Sequence, residues 1–248
     1  MNFATDKPYK HDVFIVKKYG DIVRITYLRA VRESGWEDSR EHKKKGSMNS
    51  AKLSDNITRA KAKVRDYALS NDWDWWCTFT LDKDLIDRYD LDGYKKKFSA
   101  FINDYNKRCP EEYKVRYLLV PEKHKDGAWH MHGFIKGIRP NDLIVNDNGF
   151  LTWKQYARKF GYISMDKIRD SKRASSYILK YISKDLSNSV SELGKHLYYA
   201  SKGLATGTEI FRGSAVFHGR WDWEHEDGYC KIKSFDSTKF DLSEFLEI

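Results

Sequence analysis

His130-Met131-His132 is a place in this chain where side-chain chemistry and spacing coincide. On a strand, alternate residues share a face, so both imidazoles point one way and Trp129, Met131 and Gly133 point the other. The second set is apolar or small and suits a core. The preceding turn decides what lies opposite. Lys125-Asp126-Gly127 reads as a three-residue loop with Gly127 left-handed. That loop pairs His124 with Ala128 and Glu122 with His130. It places Glu122, His124, His130 and His132 on one side of the sheet, whereas a two-residue loop would reverse the parity. Two imidazoles and a carboxylate, with water in the open positions, suit a divalent metal that must also take a phosphate oxygen. Taken alone, an HxH pair is more often two half-exposed histidines on a sheet face. Cupin and amidohydrolase readings need a carboxylate soon after the pair, or a longer chain with more ligands. Gly133-Phe134-Ile135-Lys136-Gly137 offers no carboxylate. His124 is either a neighbour of the ligands or simply polar.

The second constellation is Tyr177-Ile178-Leu179-Lys180-Tyr181-Ile182-Ser183-Lys184. On a helix, Tyr177 and Tyr181 fall at about 0° and 40°, and Lys180 and Lys184 at about 300° and 340°. Ile178, Ile182, Leu186 and Leu179 span about 100° to 200°, on the opposite side. Tyrosines bound for a core belong with the aliphatics, and these do not. The plain alternative is an exposed amphipathic helix with surface tyrosines. The chemical reading gives them a use. Only about one free phenol in a thousand is ionised at pH 7. Adjacent ammonium groups and a metal-polarised phosphate favour the phenolate nucleophile. Attack on a DNA phosphodiester makes a phosphotyrosine and frees a 3′-hydroxyl. A second tyrosine one turn away serves the return transfer.

The elements that must position these residues follow from pattern. Val13–Lys18 and Ile22–Leu28 read as a hairpin, and residues 32–50 as a polar loop. A helix capped by Ser54 or Asp55 runs to about Ser70. Trp73–Leu81 is a strand, and residues 93–108 carry a helical stripe of Tyr94, Phe98, Phe101, Ile102 and Tyr105. Val115–Pro121 and Ala128–Lys136 are strands. A short helix at Thr152–Phe160, a strand at Tyr162–Lys167, a helix at Ser171–Leu186 and a strand near Glu209–Val216 follow. Hairpins dominate. The expected fold class is α+β: a central, mainly antiparallel sheet with helices packed against one side.

Composition bounds the partners. The 248 residues are 40% hydrophobic and 33% charged, enough for a core and too apolar for disorder. The excess charge is uneven. Residues 1–70 hold 16 basic and 9 acidic side chains, 71–150 hold 13 and 14, 151–220 hold 13 and 5, and 221–248 hold 3 and 8. Basic blocks attract phosphate backbones, and aromatics at 15% supply stacking surfaces for unpaired bases. No apolar run is long enough to span a membrane, and the first residues show no leader. Cys77, Cys109 and Cys230 are dispersed and odd in number, which fits a reducing, cytoplasmic compartment. The expected organisation is an N-terminal hairpin and linker (1–50), a catalytic domain (51–220) and an acidic tail (221–248).

Three stretches, in order, resemble the HUH-type rolling-circle replication initiators. They are Thr78-Phe79-Thr80-Leu81, Glu122 with His130-Met131-His132, and Tyr177 to Lys184. The last is similar to the double-tyrosine YxxKYxxK pattern of small single-stranded-DNA phages and related plasmid or prophage initiators. The resemblance covers about residues 50–220. It implies a sheet like that of the RNA-recognition motif or ferredoxin, with Mg²⁺ or Mn²⁺ held by His130, His132 and Glu122. It implies Tyr177 and Tyr181 as nucleophiles, with Lys180 and Lys184 orienting phosphate or offsetting charge. Thr78–Leu81 is given a structural role only. The implied substrate is single-stranded or locally melted origin DNA in a bacterial host. Many relatives carry a helicase domain, and this chain has no phosphate-binding loop, so helicase and polymerase are expected as separate proteins. Rival readings are a transposase or relaxase of the same chemistry, a non-catalytic nucleic-acid-binding module, and a metal-dependent hydrolase that releases product without covalent capture.

Overall fold

Strands β1 (Tyr9–Tyr19) and β2 (Ile22–Arg32) turn at Gly20, whose φ of 56° is left-handed. Helix α1 (Ser50–Ser70), strand β3 (Trp75–Thr80) and helix α2 (Leu91–Lys107) follow. Next come β4 (Arg116–Lys123), β5 (Trp129–Lys136), β6 (Leu143–Val145), β7 (Leu151–Trp153), helix α3 (Lys154–Phe160) and β8 (Ile163–Lys167). The chain continues through β9 (Tyr199–Ala200), β10 (Thr208–Gly213), β11 (Val216–Phe217), β12 (Trp223–Glu226), β13 (Lys231–Ser237) and β14 (Leu246–Glu247). This computed structural model describes residues 9–32, 50–169, 178, 196–226 and 231–248. The chain divides into two units, Met1–Met48 with Thr206–Ile248, and Asn49–Ala205.

The Asn49–Ala205 unit is built on a five-stranded sheet in the order β8-β3-β5-β4-β9, antiparallel at every pairing. Its first four strands and two helices run β3-α2-β4-β5-α3-β8, a βαββαβ sequence of the ferredoxin-like type. Helix α2 begins at Asp90, whose carboxylate accepts from the Gly93 N–H at 2.9 Å. Its stripe of Tyr94, Phe98, Phe101, Ile102 and Tyr105 is buried against Phe79, Leu119, Met131 and Ile135. Each such aromatic contributes about 1.5–3 kcal/mol by leaving water. Tyr156 and Phe160 of α3 join the same cluster.

The expectation of helices on one side is corrected by a second cluster. Val64 and Ala68 of α1 pack with Trp73, Leu118, Val120, Phe134 and Ile178. These sheet residues alternate with those under α2, so α1 lies on the opposite face. The sheet is apolar on both faces at its Leu118–Phe134 end, and each face needs a cover. Local pattern predicts the helix but not its side.

The other unit is antiparallel β-structure in the order β10-β1-β2-β13-β12, with β11 paired to β14. Its core holds Phe14, Val16, Val23, Ile25 and Leu246. The stretch expected as an acidic tail therefore carries strands, and β13 pairs with β2. Its acidic side chains are used across the β12–β13 pair: Glu224 lies 3.1 Å from Lys233 and Glu226 lies 3.0 Å from Lys231. A net-charge count hides such pairing, because it ignores alternation along the strand.

Candidate functional site

The site stands on β3, β5 and β4, three adjacent strands. Across β4 and β5, Glu122 pairs with His130 and Val120 with His132. The turn is the expected one: His124 N donates to Ala128 O at 2.8 Å, Gly127 N donates to His124 O at 2.9 Å, and Gly127 has a φ of 86°. Across β3 and β5, Thr80 pairs with His130 and Thr78 with His132. One face of the sheet thus carries Thr78, Thr80, His130, His132, Val120 and Glu122.

Each histidine is held through Nδ1. Thr78 Oγ1 lies 3.1 Å from His132 Nδ1, and Thr80 Oγ1 lies 3.3 Å from His130 Nδ1. A hydrogen bond at one ring nitrogen fixes the tautomer and orients the other. His132 Nε2 meets Glu122 Oε2 at 2.5 Å, with the two side chains 8% and 15% exposed. His130 is half-buried, and its ring lies 4.3 Å from that of His124 and 6.4 Å from that of His132, nearly parallel to both. Burial, and then the neighbouring His124 and His132, hold the His130 pKa below the usual value. A neutral imidazole is the form that binds metal.

The backbone beneath the histidines is close-packed. A Cβ at Gly133 would overlap the Leu118 carbonyl oxygen, so glycine lets β5 approach β4 beside His132.

The donor set fits a divalent cation by its chemistry: two imidazole nitrogens and a carboxylate on one face, with the far nitrogen of each ring tied back. Among the described residues, no three His, Cys, Asp or Glu side chains yet close on a common centre. Glu122 is turned onto His132 instead, and His130 is stacked on His124.

Tyr177, Lys180, Tyr181 and Lys184 lie outside the described residues, as does most of the Ser171–Leu186 helix expected around them. Ile178 is described. It is helical, fully buried, and packs with Val120 and Phe134 on the histidine-bearing face.

Residues 74–186 match the family model of the replication-associated protein ORF2. The match supports a role as a replication initiator. No curated protein and no solved structure gives a significant match. The matched span begins at the edge of β3 and includes α2, the β4–β5 hairpin, α3 and β8. It therefore contains the histidines and also the stretch from Tyr177 to Lys184. Among the described residues, no helix is long and apolar enough to cross a membrane.

Sequence reasoning missed Thr78 and Thr80 as partners of the histidines. The signal was present. Two threonines two residues apart on one strand can face two histidines two residues apart on its neighbour, once the strands are known to be adjacent.

Proposed function

We propose that the chain initiates rolling-circle replication by nicking origin DNA through tyrosine transesterification. The observation that carries this reading is Ile178. Its side chain is seated on the sheet face that bears Glu122, His130 and His132, and it is the residue next to Tyr177 in the sequence. The tyrosine oxygen attacks the scissile phosphorus, and the bond to the 3′ oxygen breaks. The 5′ phosphate stays on the protein. The departing 3′ oxygen gains a proton, the phenol having lost one, and becomes the primer end. Because one phosphoester replaces another, a 3′-hydroxyl can reverse the step. Tyr177 and Tyr181 are the paired nucleophiles, and Lys180 and Lys184 offset charge on the phosphate.

His130, His132 and Glu122 would hold Mg²⁺ or Mn²⁺, which when bound polarises a non-bridging phosphate oxygen. Thr78 and Thr80 keep the histidine rings facing outward for that purpose. The substrate is single-stranded or locally melted DNA, since a phosphate must reach the sheet face. A separate helicase opens the duplex and a separate polymerase extends the 3′ end. The setting is the cytoplasm of a bacterial host carrying phage or plasmid DNA.

The test is incubation with an origin oligonucleotide and Mn²⁺, resolved on a denaturing gel. A protein–DNA adduct abolished by EDTA and by Tyr177→Phe/Tyr181→Phe is the expected result. Nicked DNA without an adduct would replace this reading by hydrolysis.

A further inference from the structure

On the sheet face opposite the histidines, α2 and the β4–β9 edge enclose a cleft of about 600 Å³. Tyr117 pairs with Ile135, and Tyr199 with Leu119. Ile135 and Leu119 pack under α2, so both tyrosines stand on that side and line the cleft. The charged groups that line it are all cationic: Lys95 from α2, Lys114, Arg116 and Lys202, with His196 beside them.

These cations are placed by specific contacts. Lys95 Nζ sits 4.8 Å over the Tyr199 ring. Arg116 donates to the Gly203 carbonyl at 3.0 Å. Glu111 pairs with Lys114 and lies 4.0 Å from Arg116, which offsets part of the charge at one rim. Tyr199 is only 7% exposed, and its hydroxyl has no hydrogen-bond partner among the described residues.

Solvated lysines on a convex surface need no ligand. Cations gathered in a concavity repel one another, and an anion bound there relieves that repulsion. The volume lies within the range of about 300–1,000 Å³ common to small-ligand pockets, room for about one or two nucleotides. Aromatic walls beneath spaced cations are the combination that holds unpaired strands, with rings for bases and ammonium groups for phosphates.

We propose that this cleft is a second nucleic-acid site, which takes the phosphates and an unstacked base of a single DNA strand on the face away from the histidines. It deepens the origin-DNA reading, on which it rests, by adding a strand segment other than the scissile one.

The test uses the full chain and a labelled oligonucleotide of about 15 thymidines, followed by fluorescence anisotropy over a range of salt. Lys95→Gln/Arg116→Gln/Lys202→Gln removes three charges. Affinity should fall at least tenfold at low salt, and the log–log salt slope should become shallower by about 2, from about 0.7 per cation. A variant with wild-type melting temperature but unchanged affinity and slope overturns the proposal. In case the triple variant unfolds, acetylation footprinting of the wild type decides. The oligonucleotide should shield Lys95 and Lys202, and thymidine monophosphate at matched nucleotide concentration should not. No shielding overturns the site, and equal shielding by the mononucleotide overturns the strand as its occupant. Adduct formation is scored separately with wild-type protein. An adduct with no cleft effect sinks the cleft alone; a shielded cleft with no adduct sinks the nicking chemistry alone.

Discussion

Thr78 Oγ1 lies 3.1 Å from Nδ1 of His132, and Glu122 Oε2 lies 2.5 Å from Nε2 of the same ring. The imidazole is therefore held between a hydroxyl on one neighbouring strand and a carboxylate on the other. Thr80 repeats the first contact for His130. The prediction concerns the hydroxyls. Thr78→Val/Thr80→Val keeps the β-branched shape and loses both contacts. On the proposed reading, Mn²⁺ affinity should fall about 10–100-fold, the range for losing partners that orient ligating histidines. The melting temperature should change little. Titration with Mn²⁺ followed by calorimetry checks this. Affinity equal to wild type would show that the threonines serve the strand alone.

Acid should act on the site through His130. Burial and two neighbouring imidazoles lower its pKa in the fold, whereas an unfolded histidine titrates near about 6.5. Below about pH 6.5 the unfolded chain takes up a proton that folded His130 resists, so this residue's contribution to stability is lost as pH falls toward its folded value. The neutral, metal-binding ring should also persist to lower pH than in a free peptide. A ¹H–¹³C NMR titration of the metal-free protein should place the His130 midpoint below that of a model peptide. A midpoint above it contradicts the packing described.

Much of this site was legible in the sequence because it depends on parity. The turn Lys125-Asp126-Gly127 fixed which residues of β4 and β5 share a face, and Glu122 does pair with His130. The α2 stripe was legible for the same reason, since its helical period is unmixed. What was missed involves neighbours remote in sequence. Nothing local says that β3 inserts beside β5, and so Thr78 and Thr80 read as strand formers only. The hairpin of β6 and β7 was also missed, although Asn146, Asn148 and Gly149 mark its turn. Its strands are three residues each, too short to show alternation.

Gly133 should tolerate no side chain. An added Cβ would overlap the Leu118 carbonyl oxygen, and the backbone sits at a φ of 156°. Backbone cannot yield as the end of a flexible side chain can. Gly133→Ala should cost about 3 kcal/mol or more, from overpacking and backbone strain combined. Urea unfolding measures it. A loss below about 1 kcal/mol, the scale of a Gly→Ala propensity change, would mean that β4 and β5 separate more easily than their register implies.

Ile178 offers a test of the link between packing and chemistry. It is fully buried with Val64, Leu118, Val120 and Phe134. Ile178→Val should cost about 0.5–1.5 kcal/mol and Ile178→Ala about 2–5 kcal/mol. Adduct yield with Mn²⁺ should fall further in the alanine variant than its unfolded fraction explains, because the tyrosine next in sequence loses its anchor. Yield that tracks the folded fraction alone would detach this contact from catalysis.

Asp142 should govern acid stability away from the histidines. Its carboxylate accepts from Tyr105 Oη at 2.6 Å, Arg139 Nε at 2.7 Å and Gln155 Nε2 at 2.5 Å. Tyr105 Oη in turn accepts from Arg139 N at 3.0 Å. The group joins α2, α3 and the base of the β6–β7 hairpin. Burial alone would raise the Asp142 pKa, but hydrogen bonds from Tyr105, Arg139 and Gln155 outweigh it and hold the carboxyl below the usual range. A carboxylate so held stabilises the fold above its unfolded value of about 3.9, and the contribution is lost as pH falls through the lower folded value. Asp142→Ala should cost about 2–4 kcal/mol at pH 7, less than for a fully buried pair because the Arg139 side chain is 39% exposed. Asp142→Asn should cost less and flatten the acid limb of the curve. Melting temperatures of wild type and Asp142→Asn between pH 7 and pH 3 (the span from about three units above to about one below the unfolded carboxyl value) should converge on the acid side. Parallel curves across that range would show that the carboxylate's charge adds nothing to the hydrogen bonds it accepts.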